Sequence, residues 1–143
     1  SLAVHPDVRA IVFIPPEPLS TELARGLLPT TVAHHDAAIN SGRAALLVAA
    51  MTQRPDELLA ATEDRLHQEF RRPAMTSSLD LVDALRTAGV AAVVSGAGPT
   101  VLALATSHGP VDIRAWCPLG WRGVEIAVDG GGAVVVSGGE SKP

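Results

Sequence analysis

The sequence predicts an α+β sandwich, an antiparallel or mixed sheet covered on one face by helices. Three observations carry this. A β-branched apolar run, Val8 to Ile14, lies near the start and stops at Pro15-Pro16. Residues 20–89 then repeat with helical period, and beyond Gly89 the period shortens to that of strands. Strand, several helices, then strands again is a segregated order, and such an order suits helices laid over a sheet.

The elements follow in turn. Ser20 or Thr21 can cap a short first helix with Glu22 in its first turn, Leu23 and Leu27 forming its apolar edge and Pro29 lying just past its end. Asp36 can cap a second helix to about Thr52 that turns Ile39, Leu46, Leu47 and Met51 inward. Arg54-Pro55 opens a third, Asp56 to about Phe70, with proline in its permitted first turn, and Pro73 lies beyond its end. Ser77 or Ser78 caps a fourth, whose Leu79, Val82 and Leu85 keep helical spacing until Gly89. Strands are expected at Ala91–Val94 and Thr100–Ala105. His108 to Gly120 is broken by Gly109, Pro110 and Pro118 and holds no more than an irregular helical turn. Gly123–Val128, Asp129-Gly130-Gly131-Gly132 and Ala133–Ser137 read as a closing hairpin.

At 143 residues the chain forms one domain, 1–143, able to bury roughly two thirds of its unfolded surface. Its first strand falls within 1–14, and 138–143 read as a flexible tail. Apolar residues make up 47% and aromatic ones 3%, which favours closely packed helices over a base-stacking platform. Eleven basic against 15 acidic side chains lack the footprint of a nucleic-acid or anionic-membrane binder, so any anion site must be local. The longest apolar run, Ala44 to Met51, is too short to span a bilayer, and no basic-then-apolar leader opens the chain, which reads as soluble and cytoplasmic. Cys117, the single cysteine, cannot form an internal disulfide and is read as packing. A start at Ser1 that runs almost at once into a strand reads as the later part of a longer polypeptide.

The most informative stretch is Ser95-Gly96-Ala97-Gly98-Pro99-Thr100, wedged between two apolar runs. A strand that breaks into Gly-x-Gly-Pro and resumes needs positive φ or close backbone approach there. With its flanks, Val93 to Leu104, this loop resembles the third conserved motif of the GHMP kinases, small-molecule kinases in which it closes against the phosphate-binding loop. Ser20-Thr21-Glu22-Leu23-Ala24-Arg25-Gly26-Leu27-Leu28-Pro29 resembles the signature of the homoserine kinase family within them. Its spacing has a physical sense, because Thr21 and Arg25 stand one helical turn apart and share a face. A hydroxyl and a planar guanidinium fork then converge on one ligand, and the fork matches a carboxylate. Asp64 to Arg72 is similar to the family's segment ending in an aromatic-Arg pair. By position Arg71 matches its substrate arginine, with Arg72 as competitor, and Glu69 stands where the family has proline. Ala37 to Arg43 resembles the helix whose Asn and Arg, here Asn40 and Arg43, are structural.

The resemblance covers nearly the whole chain but only the latter half of such an enzyme. It implies a ferredoxin-like GHMP C-terminal domain and transfer of the ATP γ-phosphoryl group to the side-chain hydroxyl of L-homoserine. Arg25 and Arg71 would grip the substrate carboxylate, Thr21 would hydrogen-bond the substrate, and Ser95, Gly96, Ala97, Gly98, Pro99 and Thr100 would support the phosphate loop. ATP and Mg2+ would be bound mainly by an N-terminal half absent from this sequence, so the chain alone is expected to be inactive. That half and L-homoserine are the implied partners, with a homodimer left open. No carboxylate offers itself as a general base, so no catalytic residue is assigned. Metal readings of His34-His35-Asp36 and of Glu63 with His67 fail for want of converging ligands. The alternatives are a mevalonate- or galactose-type kinase of the same superfamily, or a stand-alone amino-acid-binding or dimerisation module.

Overall fold

The computed structural model describes residues 2–107 and 112–131, apart from the side chains of residues 113 and 114. Four strands, β1 (Arg9–Ile14), β2 (Ala91–Val94), β3 (Val101–Ala105) and β4 (Arg122–Ile126), form one sheet in the order β2-β3-β1-β4. All three pairings are antiparallel. With helices after β1 and, among the described residues, a 3-10 turn at Ile113–Trp116 between β3 and β4, this is the split β-α-β arrangement of ferredoxin-like domains. The second strand of the expected closing hairpin and the tail lie outside the described residues.

Period-two alternation divides the sheet's side chains between two layers. Ile11, Phe13, Ala92, Val94, Val101 and Ala103 pack with Leu79, Val82 and Leu85 of α5 (Thr76–Thr87), which covers one face as expected. A second helical layer was not expected. Ala10, Leu104 and Ala91, aligned across three strands, project from the opposite face onto Ala50, Leu58 and Ala61. Those belong to α2 (His34–Thr52) and α3 (Leu58–Ala61). Alanines at these positions let helix backbones approach the sheet closely.

Several expected boundaries move, and at Asp36 and Ser78 a side chain expected to cap found a distant partner instead. Ser20, not Thr21, caps α1 (Thr21–Gly26), its Oγ accepting from the Leu23 amide at 3.4 Å. The apolar edge of α1 is not Leu23 with Leu27: Ala24 is fully buried, while Leu23 is 53% exposed. Asp36 does not cap α2, which starts two residues earlier after Ala33; its carboxylate instead meets Arg65 at 3.4 Å. Neither Ser77 nor Ser78 caps α5, because buried Ser78 donates its hydroxyl to the Pro99 carbonyl at 2.6 Å.

The expected third helix, Asp56 to Phe70, is broken. A 3-10 turn at Pro55–Glu57 leads into α3, and the chain leaves helical form until α4 (Gln68–Arg71). Thr62 donates its hydroxyl back to the Leu58 carbonyl at 2.8 Å, closing α3, and Asp64 accepts from the amides of Leu66, His67 and Gln68, restarting the helix. Asn40 and Arg43 brace this bend from α2, the first accepting from the Arg65 amide at 2.9 Å and the second donating to Glu63 at 3.0 Å.

Candidate functional site

The loop between β2 and β3 is closed by two backbone hydrogen bonds, Ser95 N–H to the Thr100 carbonyl at 2.8 Å and Gly98 N–H to the Ser95 carbonyl at 3.1 Å. Gly96 and Gly98 have φ of +61° and +91°, and the Gly98-Pro99 peptide is cis. A Cβ on Gly98 would lie 2.7 Å from the Met75 Cε, so the loop is seated directly on the start of α5. Both reasons for glycine, positive φ and close approach, hold at this one residue. The Gly96 and Ala97 amides hold no hydrogen bond among the described residues.

Arg71 joins this loop to α1. Only 8% exposed, it donates from Nε to the Ala24 carbonyl at 3.2 Å and from Nη1 to the Gly96 carbonyl at 3.1 Å. The acids beside it in sequence go elsewhere: Glu69 pairs with Arg72, Glu63 with Arg43 and Arg65, and Asp64 accepts from the amides of the turn that leads into α4. Among the described residues, buried Arg71 thus makes hydrogen bonds only to neutral carbonyls, and its charge has no paired carboxylate there. Arg72, by contrast, sits among Glu69, Asp80 and Asp83, and hydrogen bonding to Glu69 raises its already high pKa despite burial.

Ala24 brings the rest of α1 with it. Thr21 and Arg25 are exposed, one turn apart, and neither side chain holds a hydrogen bond or ion pair among the described residues. Five arginines, at positions 9, 43, 54, 65 and 72, pair with carboxylates. In a chain of net charge −4, Arg71 and Arg25 are guanidinium groups that pair with no carboxylate among the described residues, the first bonded to the helix that carries the second. Charge without a paired carboxylate is available to attract an anion.

The geometry separates the predicted residues into two sets. Arg71 and Gly96 touch, and Arg71 also touches the helix that carries Thr21 and Arg25. A cleft of about 390 Å3 is lined by Asp64, His67, Gln68, Arg71, Val93, Val94 and Gly96, and another of about 460 Å3 reaches Pro99 between the Pro15–Leu19 segment and the start of α5. Neither is lined by Thr21 or Arg25. Sequence reasoning missed the supports of the site. Gln68 accepts from the Val94 amide at 2.6 Å on the outer edge of β2, and Ser78 holds Pro99. An aspartate four residues ahead of Gln68 was a legible cap signal.

Burial tends to raise the Asp64 pKa. The Gln68 amide, the His67 ring and the amides of Leu66 and His67 outweigh it, holding the carboxyl below the usual carboxylate range. The site's floor is thus an ionised, fully engaged carboxylate.

A family model described as GHMP kinases C terminal matches residues 37–117. Homoserine kinase of Streptomyces avermitilis is 54% identical over 126 residues, which are 88% of this chain and 41% of that protein. Homoserine kinase of Clavibacter michiganensis subsp. michiganensis is 48% identical over 141 residues, 94% of this chain and 44% of the relative. Among solved structures, the homoserine kinase of Cytophaga hutchinsonii aligns with a TM-score of 0.65 and 26% identity over 75% of this chain and 35% of that one. The chain spans about two fifths of the length of the curated relatives it matches. None of the described helices is long and apolar enough to cross a membrane.

Proposed function

The chain belongs to the GHMP kinases, whose C-terminal domain it matches, and from that premise we propose that it is the C-terminal domain of a homoserine kinase acting in the cytoplasm. The whole enzyme transfers the terminal phosphoryl group of ATP to the side-chain hydroxyl of L-homoserine, the substrate class named for the relatives. The observation that supports the reading is Arg71, whose guanidinium holds the Ala24 carbonyl of the helix that carries Thr21 and Arg25 together with the Gly96 carbonyl of the glycine loop, and pairs with no carboxylate among the described residues.

Mechanism follows from what these residues can hold. Arg25 presents a free fork to the substrate carboxylate, and Thr21 adds a hydroxyl one turn away. Arg71 contributes charge and the guanidinium nitrogen not spent on the two carbonyls. The three acids that surround Arg72 favour Arg71 over it as the carboxylate ligand. Phosphoryl transfer leaves little covalent work for the protein, so positioning and charge neutralisation are its contribution.

The glycine loop fits a place beside the nucleotide rather than a cradle around it. Two of its amides are spent inside the loop, while those of Gly96 and Ala97 remain to meet a phosphate or the loop that binds one. The nucleotide, when bound, supplies the phosphoryl group. The described residues contain no cluster of three metal-binding side chains, and Mg2+ accompanying ATP would be held mainly by the N-terminal half of the enzyme.

The test is a coupled nucleotide-consumption assay on the full-length enzyme with homoserine, mevalonate and galactose offered separately. Turnover of homoserine alone is expected. Turnover of mevalonate or galactose in its place would overturn the amino-acid reading and leave the family intact.

A further inference from the structure

The cleft beside Arg71 contains a side-chain pair that the proposed chemistry has not used. His67 is half exposed, at 48%, whereas the Asp64 carboxylate behind it is 16% exposed, and His67 Nδ1 lies 3.0 Å from Asp64 Oδ1. Three backbone amides hold Asp64 in place at 2.7 to 3.3 Å. An ionised carboxylate only accepts hydrogen bonds, so Nδ1 carries the proton in this pair and Nε2 is the acceptor while the ring is neutral. Nε2 holds no partner among the described residues. His67 and Arg71 stand four residues apart across α4, a spacing that puts them on one face, and both line the same cleft.

We propose that His67, oriented by Asp64, is a further substrate-binding residue whose Nε2 accepts a hydrogen bond from the ammonium group of the amino acid seated on Arg71. This inference rests on the homoserine kinase reading. The chemistry is mutual: Arg71 is suited to the carboxylate, and the ammonium is attached to the adjacent carbon, so an acceptor is wanted one step from the guanidinium. A ring locked at one nitrogen meets that need with little rotamer freedom left to lose.

The plainer function of His67 is to hold the turn before α4 through Asp64, and the two roles use different nitrogens. Asparagine reproduces Nδ1 and its contact with Asp64, whereas glutamine reproduces the farther Nε2 position. The experiment measures KM for homoserine, KM for ATP and the thermal midpoint of the full-length enzyme carrying His67→Ala, His67→Asn or His67→Gln. Expected is a roughly tenfold rise in homoserine KM for the alanine and asparagine variants, the size of one lost hydrogen bond to a charged group, with ATP KM unchanged. Glutamine should recover most of the loss. Recovery by asparagine and not glutamine, or unaltered homoserine KM in all three, would overturn the proposal while leaving the kinase reading in place. An unmodified enzyme that does not phosphorylate homoserine would overturn both.

Discussion

Arg71 and Arg72 are neighbours in sequence and opposites in setting. Arg72 points outward into three carboxylates, whose exposed oxygens balance its charge several times over. Arg71 points inward and, among the described residues, finds only the carbonyls of Ala24 and Gly96. The difference teaches how to tell a binding arginine from a surface one. A guanidinium already saturated by acids has little left for an anionic ligand, while one whose hydrogen bonds go to neutral oxygens keeps its charge available.

The comparison breaks most sharply if Arg71 is truncated. Arg71→Ala leaves two part-buried carbonyls without their donors and separates α1 from the loop. The expected result is a stability loss of about 2–4 kcal/mol by chemical unfolding and a fall in kcat/KM for homoserine of at least about 100-fold. A variant that unfolds and turns over like the parent would show that the site is not built on this residue.

Gly98→Ala tests the loop seat without touching charge. The added Cβ meets Met75 at 2.7 Å in a backbone conformation at φ +91°, so about 2–3 kcal/mol is expected to be lost. Gly96→Ala has positive φ and open space, and should lose only about 1 kcal/mol. Equal losses at the two positions would mean that the contact with Met75 is easily relieved.

Arg25→Lys keeps the charge and removes the fork. Because Arg25 holds no partner among the described residues, the unfolding midpoint should not move, while homoserine KM rises about tenfold or more. An unchanged KM would remove Arg25 from the site.

Asp64→Asn gives a smaller effect with a pH signature. The Asp64 pKa is depressed in the fold, so its contribution is present above the unfolded value of about 3.9 and is lost as pH falls through the folded one. The stability gap between parent and variant, about 1 kcal/mol at neutral pH, should close below about pH 4. A gap that stays constant with pH would assign the effect to the amide's shape rather than to charge.

Arg72→Ala should change least, by about 1 kcal/mol or less, shrinking with added salt and leaving homoserine KM untouched. A large KM effect here would reverse the comparison of the two arginines.

How much of this was legible in the sequence depended on whether a signal was local. Pro15-Pro16 after β1, Gly89 after α5 and the glycine loop between β2 and β3 each act within a few residues, and each lies where expected. The caps did not. Asp36, Ser77 and Ser78 all have the chemistry of N-caps, yet Asp36 found Arg65 and Ser78 found Pro99 across the fold. Apolar periodicity misled at Leu23 because α1 docks by its smallest residue, Ala24, where a leucine would hold the helix away from Arg71 and the loop. The helix written as continuous from Asp56 to Phe70 failed because Thr62 and Asp64 compete for backbone partners, a contest that a count of helix formers does not register.

By itself the sequence determined the α+β order, the strand positions, the glycine loop and the Thr21/Arg25 spacing, since each follows from backbone geometry over a few residues. Only the tertiary structure decided that α1 meets the loop through Arg71, that Arg72 is spent on carboxylates, and that His67 stands over a held Asp64 in the same cleft. The reason is that a side chain's partner is chosen by what lies nearby after folding, and Ala24, Arg71 and Gly96 are separated by 47 and 25 residues before it.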